Sequence, residues 1–138
     1  MNRIHVLIFL LIMAMGACSK NSSDATGNLT LENVSIEGQH FVNPPHDAIT
    51  VHTVVKSSYT VELKNVIVGV VVANNAGRVV GTKTSTPITL PPGGSNTVIV
   101  YVSPLTSGAL HTDITDVRIT PYCEHGASAE VSVNPQEQ

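Results

Sequence analysis

Val66-Ile67-Val68-Gly69-Val70-Val71-Val72-Ala73, then Asn74-Asn75-Ala76-Gly77, then Arg78-Val79-Val80-Gly81-Thr82-Lys83, is the stretch that decides the fold. Near-continuous β-branched residues without alternation predict a central strand covered on both faces. Gly69 inside that run permits either a close approach or a bulge. Asn and Gly accept positive φ at low cost, so 74–77 is a turn and 78–83 the returning partner strand.

The same pattern extends in both directions. Upstream, Leu29 and Leu31 alternate, then Val34 and Ile36 alternate in the opposite phase, which predicts a first strand with a bulge near Glu32-Asn33. Residues 38–47, with Pro44-Pro45, read as a loop. Ile49, Val51, Thr53 and Val55 mark a second strand on one face. Val61 and Leu63 either continue it or start a separate short piece after Ser57-Ser58. Downstream, Pro91-Pro92-Gly93-Gly94 is a hard turn into a strand with Val98, Val100 and Val102 on one face and Ile99 and Tyr101 on the other. Residues 114–121 and 127–133 form a last hairpin across Glu124-His125-Gly126, and 136–138 is a short polar tail. No sustained helical stripe follows the first residues. About seven short strands, with turn signals every 8–12 residues, predict an all-β, immunoglobulin-like antiparallel sandwich spanning residues 29–135. With no Trp and few other aromatics, its core must be Val, Ile and Leu.

The beginning of the chain is different. Asn2-Arg3 is a short positive end, Ile4 to Met15 is apolar apart from His5, and Gly16-Ala17 are small residues directly before Cys18. An apolar run of about 12 residues is too short for a comfortable span, which needs about 20. This arrangement resembles a bacterial lipoprotein signal, with Met15 where Leu, Val or Ile is commoner. The resemblance implies a signal peptide at 1–17 and Cys18 as the lipidated residue. A polar, small-residue tether follows, within residues 18–28. It also implies a cell-envelope location held by acyl chains, with Ser19 after the cysteine favouring the outer membrane over the inner.

The stretch from Leu63 to Val102 resembles the FxLyD-type domain of bacterial envelope lipoproteins. Val70-Val71-Val72-Ala73-Asn74 stands where the family's named motif would be, Asn75-Ala76-Gly77-Arg78-Val79-Val80 follows at the right spacing, and Leu90-Pro91-Pro92-Gly93 opens the next strand. The turn skeleton matches, while the Phe, Tyr and Asp of the motif are absent. The resemblance implies a small immunoglobulin-like sandwich and no established catalytic residues.

Composition narrows function further. Past residue 17, six Lys/Arg face ten Asp/Glu, a net charge of −4, so no basic patch for nucleic acid is expected. With Cys18 lipidated, Cys123 has no partner in the chain and reads as a buried small apolar residue. The histidines at 40, 46, 52, 111 and 125 contain no HxH or HxxxH pair and read as scattered surface or loop residues. Cys123-Glu124-His125 is the one tight cluster of metal-ligating types, but two ligands fall short of a zinc site's three or four, so no metal or cofactor is expected. Asp113, Asp116 and Glu124 are carboxylates without a paired arrangement. No nucleophile elbow, phosphate loop or dinucleotide fingerprint is present. The expectation is a non-catalytic, lipid-anchored envelope protein that binds or scaffolds another envelope component, through loops 38–47 and 103–112. The alternative is a glycan- or ligand-binding accessory module of a surface uptake system, with Phe41 as the candidate contact.

Overall fold

The computed structural model describes residues 26–138; residues 1–17 and Cys18 lie outside that range. The protein is all-β and antiparallel, in two sheets packed face to face. One sheet has three strands in the order β1 (Leu29–Val42), β2 (Pro45–Ser57), β6 (Ser95–Val102). The other has the order β4 (Val79–Thr84), β3 (Leu63–Asn74), β7 (Ile114–Cys123), β8 (Gly126–Ala127). Two short strands complete it: β5 (Ile88–Leu90) on β3 and β9 (Val131–Val133) on β7.

β3 is central, between β4 and β5 on one side and β7 on the other, as its run of β-branched residues predicts. Its two faces differ, however. Val66, Val68, Val70 and Val72 are fully buried, while Ile67, Gly69 and Val71 on the outer face are half-buried. A two-layer sandwich has one core, so only the inner face can be sealed. Gly69 is the close approach, not a bulge. It pairs in register with Thr84 and Thr120, and a Cβ there would lie 2.9 Å from the Tyr122 ring. The 74–77 turn forms as read. The Asn74 side chain accepts from the backbone N–H of Ala76 and Arg78, and Gly77 takes φ 75°.

The first strand carries its bulge where the phase shift predicts it. Asn33 and Val34 together stand against Thr53, with Asn33 at φ 53°. The Thr53 hydroxyl donates to the Glu32 carbonyl at 3.0 Å, which satisfies an acceptor the bulge pulls out of the ladder.

Three expectations need correction. Residues 38–47 are not an open loop: β1 runs to Val42, the turn is only Asn43-Pro44, and β2 begins at Pro45. Pro44 occupies the turn and Pro45 the first strand position, where a missing N–H costs the ladder little, so the Pro pair does not break the strands. Among the described residues there are nine strands rather than seven, because β5 adds one and the last strand is split into β8 and β9 by residues 128–130. The C-terminal residues are not a free tail. Pro135–Glu137 is a single 3₁₀ turn, Gln136 Nε2 donates to the carbonyls of His111 and Ile114, and Gln138 Oε1 accepts from the Ile36 N–H.

The core is one cluster, dominated by Val as the composition requires. Val51, Val55, Val98, Val100 and Val102 come from one sheet, and Val66, Val68, Val70, Val72, Val117 and Ile119 from the other. Each fully buried side chain of this kind stabilises by about 1.5–3 kcal/mol, so the packed inner faces hold the sheets together; among the described residues Cys123 is a free thiol and no disulfide links the sheets.

Candidate functional site

At the end of the sandwich where β1 turns into β2, a carboxylate is buried between two histidines. Asp47 follows Pro45-His46 on the inner face of β2, directly opposite His40 on β1. It is 3% exposed. His40 Nδ1 lies 2.6 Å from Oδ1, and His111 Nδ1 lies 2.6 Å from Oδ2. Oδ2 also accepts the His111 backbone N–H at 2.7 Å. Either the Nδ1–H tautomer or the imidazolium can donate from each ring. Burial raises the Asp47 pKa. The His111 N–H and then the two ring hydrogen bonds outweigh that effect and bring the carboxyl down to about 2.

His111 reaches this position because Gly38 leaves room for it. A Cβ on Gly38 would sit 2.3 Å from His111 Cδ2, so the imidazole packs against bare backbone of β1. Residues 103–113 are fixed by further bonds. Leu105 N–H donates to the Asp47 carbonyl at 2.9 Å, and the Thr106 N–H and hydroxyl both donate to the Val80 carbonyl. Asp47 therefore holds the second connection with its backbone carbonyl and Oδ2, while Oδ1 holds His40 of β1. The two segments that the sequence singles out, 38–47 and 103–112, are one structure.

Around this buried carboxylate, apolar and aromatic side chains lie among exposed polar ones such as Gln39, His40, Asn43 and Thr112. The Phe41 ring stacks on His46 at 4.7 Å and 11°, on the outer face of the β1–β2 hairpin, and His46 Nδ1 lies 2.9 Å from the Pro44 carbonyl. Val42 is 78% exposed and Leu110 47%. Among the described residues no hydroxyl or thiol is hydrogen-bonded to His40 or His111, so the pair is not joined to a nucleophile. Likewise no group of three or more His, Cys, Asp or Glu there could hold a metal ion. The arrangement does something else: it locks the β1–β2 hairpin to residues 103–113 at one end of the domain.

The remaining candidates lie elsewhere. Cys123 and His125 both meet Tyr59. The Cys123 thiol faces the phenol oxygen at 3.9 Å, and the His125 ring stacks on the Tyr59 ring at 5.3 Å. Burial, and then the neighbouring thiol, push the Tyr59 pKa up to about 12. Asp116 is engaged by Arg118 Nε at 2.7 Å and by the Ser132 hydroxyl. Asp113 ends the 3₁₀ turn His111–Asp113, where its carbonyl accepts the Asn75 N–H. The reading of all the histidines as scattered residues is thus corrected for His40 and His111. Their convergence depends on cross-strand pairing and on a loop 64 residues away, which no local spacing encodes. One signal was available: an Asp followed by an apolar strand, in the interior register of that strand, requires buried partners.

No family model matches the chain, and no curated protein matches it. Among solved structures, the chain is similar to the Pseudomonas fluorescens alkylpurine DNA glycosylase AlkC bound to DNA containing an abasic site analog. The TM-score is 0.50 at 10% identity, over 92% of this chain and 36% of that one. It is also similar to DesR, a β-glucosidase from Streptomyces venezuelae in complex with D-glucose, with a TM-score of 0.43 at 14% identity, over 78% of this chain and 15% of that one. The chain thus spans little more than a third of the glycosylase and a smaller part of the glucosidase, and at these identities the likeness concerns the fold alone.

Proposed function

We propose that this chain is a non-catalytic, lipid-anchored domain of the bacterial cell envelope that presents a rigid loop end to another envelope component. The observation that carries the reading is the position of Asp47. It joins the β1–β2 turn to residues 103–113 at the end of the sandwich opposite the one where β1 begins. β1 has 14 residues, so the Val42 end stands about 40 Å along the strand from Leu29. A chain tethered at Cys18 thus holds its preorganised end away from the membrane. Binding surfaces on sandwiches sit on such loop ends, supported by the sheets beneath.

The finer fold assignment belongs to this reading. The orders β1-β2-β6 and β4-β3-β7-β8/β9 correspond to the A-B-E and C′-C-F-G sheets of an immunoglobulin-like Greek key, with β5 as an addition. The likeness to part of the glycosylase structure fits an all-β module of this kind. Its DNA does not transfer, because the net charge of −4 past residue 17 offers no basic footprint.

Two measurements test the proposal. Metabolic labelling with a fatty-acid analogue should mark the wild type and not Cys18→Ala. A photo-crosslinker placed at Val42 or Leu110 in cells should capture a defined envelope protein, while one at Lys64, exposed at the start of β3, should not. Absent labelling refutes the anchor; no adduct at the tip, or equal adducts at Lys64, refutes the binding end. The glycan-binding alternative rests on Phe41, whose ring is half-buried against His46. A glycan array with wild type and Phe41→Ala separates the two readings.

A further inference from the structure

We infer that β6 is an open pairing edge, and that its partner is β6 of a second copy of this chain. β6 ends the order β1-β2-β6, so β2 covers one of its edges only. It pairs with β2 over eight consecutive residues without a register shift. Among the described residues, 96–102 have no backbone partner outside β2. Val98, Val100 and Val102 are buried inward, while Ile99 and Tyr101 on the outer face are 58% and 45% exposed.

The other edges carry the devices that stop a sheet from pairing further. β1 has its bulge, Glu32 and Glu37, and an edge N–H at Ile36 already donated to Gln138. β4 is six residues long with Gly81 and Lys83. β8 and β9 have two and three residues, and Pro135 follows. β6 reads Ser-Asn-Thr-Val-Ile-Val-Tyr-Val, with no charge, no Pro, no Gly and no bulge. It has the length, β-propensity and neutrality of a segment that accepts another strand.

Self-complementarity selects the occupant. Antiparallel pairing about a dyad at Ile99 sets Ile99 against Ile99 of the second copy and Thr97 against its Tyr101, on the same outer face. No like charges meet, because neither strand has any. The product is a six-stranded sheet, β1-β2-β6-β6-β2-β1, whose two outer edges are both the protected β1. Addition therefore stops at a closed two-fold dimer rather than a filament. A strip of eight residues, about 26 Å long, is a small interface, so the dimer is of the weak class that buries under about 1,200 Å².

The full chain with Cys18→Ser and Cys123→Ser tests this independently of any lipid. Opposed Cα atoms of an antiparallel pair are about 4.5–5.5 Å apart, within disulfide reach. Ile99→Cys in that background should form a covalent dimer under mild oxidation. Thr50→Cys on β2 should not, because three strand spacings, about 14 Å, separate the two copies. Sedimentation velocity of the untrapped protein should show reversible dimer at about 100 μM and above. Ile99→Lys should raise its dissociation constant at least about tenfold with an unchanged melting temperature, since that side chain is exposed. No Ile99→Cys dimer, equal trapping at Thr50→Cys, or an undiminished dimer in Ile99→Lys overturns the inference. So does an Ile99→Cys adduct in cells to another protein with none between copies.

Discussion

Replacing Asp47 by Asn removes the charge and keeps the shape, so it isolates what the buried carboxylate contributes. The carboxylate accepts three short hydrogen bonds, two from imidazole Nδ1 atoms at 2.6 Å and one from a backbone N–H at 2.7 Å. The amide offers one acceptor oxygen and an NH₂ that must face a ring nitrogen, so at least one imidazole loses its acceptor or changes tautomer. Hydrogen bonds to a charged group contribute about 1.5–3 kcal/mol each, and a buried polar group left unpaired costs about 1–3 kcal/mol. The expected loss is about 2–4 kcal/mol, or about 10 °C in melting temperature for a domain of this size. The pH dependence gives a second handle. The folded Asp47 carboxyl is depressed to about 2 from 3.8, so it stabilises above the unfolded value and that contribution disappears as pH falls through about 2. Urea unfolding from pH 7 down to pH 2 should therefore show wild type and Asp47→Asn separated at neutral pH and converging as acid is added. Adding His40→Ala in both backgrounds should yield less than additive losses, because the two residues share a bond. A neutral-pH difference below about 0.5 kcal/mol, or a gap that stays constant to pH 2, would show that the carboxylate does not hold the tip.

Gly38→Ala should cost about 1–3 kcal/mol, because its Cβ would lie 2.3 Å from His111 Cδ2; in a His111→Ala background the thermal melt should recover most of that loss. Asn74→Ala removes the acceptor for two backbone N–H groups and should destabilise by about 1 kcal/mol in denaturant unfolding. Absorbance titration should find Tyr59 ionising near 12 in the folded protein. Its pKa is raised on folding, so its contribution is complete below about 10 and is lost as pH rises through about 12. Cys123→Ala should bring that ionisation down only in part, because burial is the larger cause.

Most of the fold was legible because it depends on local pattern. The bulge at Glu32-Asn33 showed as a one-residue change of phase. The 74–77 turn showed as Asn and Gly at positions that need them, and the inner face of β6 as strict alternation at Val98, Val100 and Val102. What was misread depends on neighbours. The outer face of β3 is as β-branched as its inner face, so its half-exposure cannot be told from the residues Ile67 and Val71 themselves. The length of β1 was hidden because Pro44-Pro45 is a turn signal of undetermined extent: the same pair can sit in a two-residue turn or in a ten-residue loop.

Asp47 was hidden for a different reason, and that reason bears on what the tip does. In the sequence it is one acid among ten, two residues after a proline pair, and it reads as the last residue of a loop. Its burial is produced by β1 from one side and by His111 from the other, a residue that β3 to β6 separate from it along the chain. The residues it gathers, from Leu105 to His111, have no regular ladder of their own until the final 3₁₀ turn, and fixing each costs about 1–2 kcal/mol of backbone entropy. A loop that only connected β6 to β7 would not need that ordering. Here it is met by a desolvated carboxylate with both oxygens engaged. A partner meeting Val42 and Leu110 then does not have to order the surface it binds, and preorganisation of this kind raises affinity without adding a contact. The same polar group whose partners no local spacing encodes is therefore the feature on which the proposed recognition role rests.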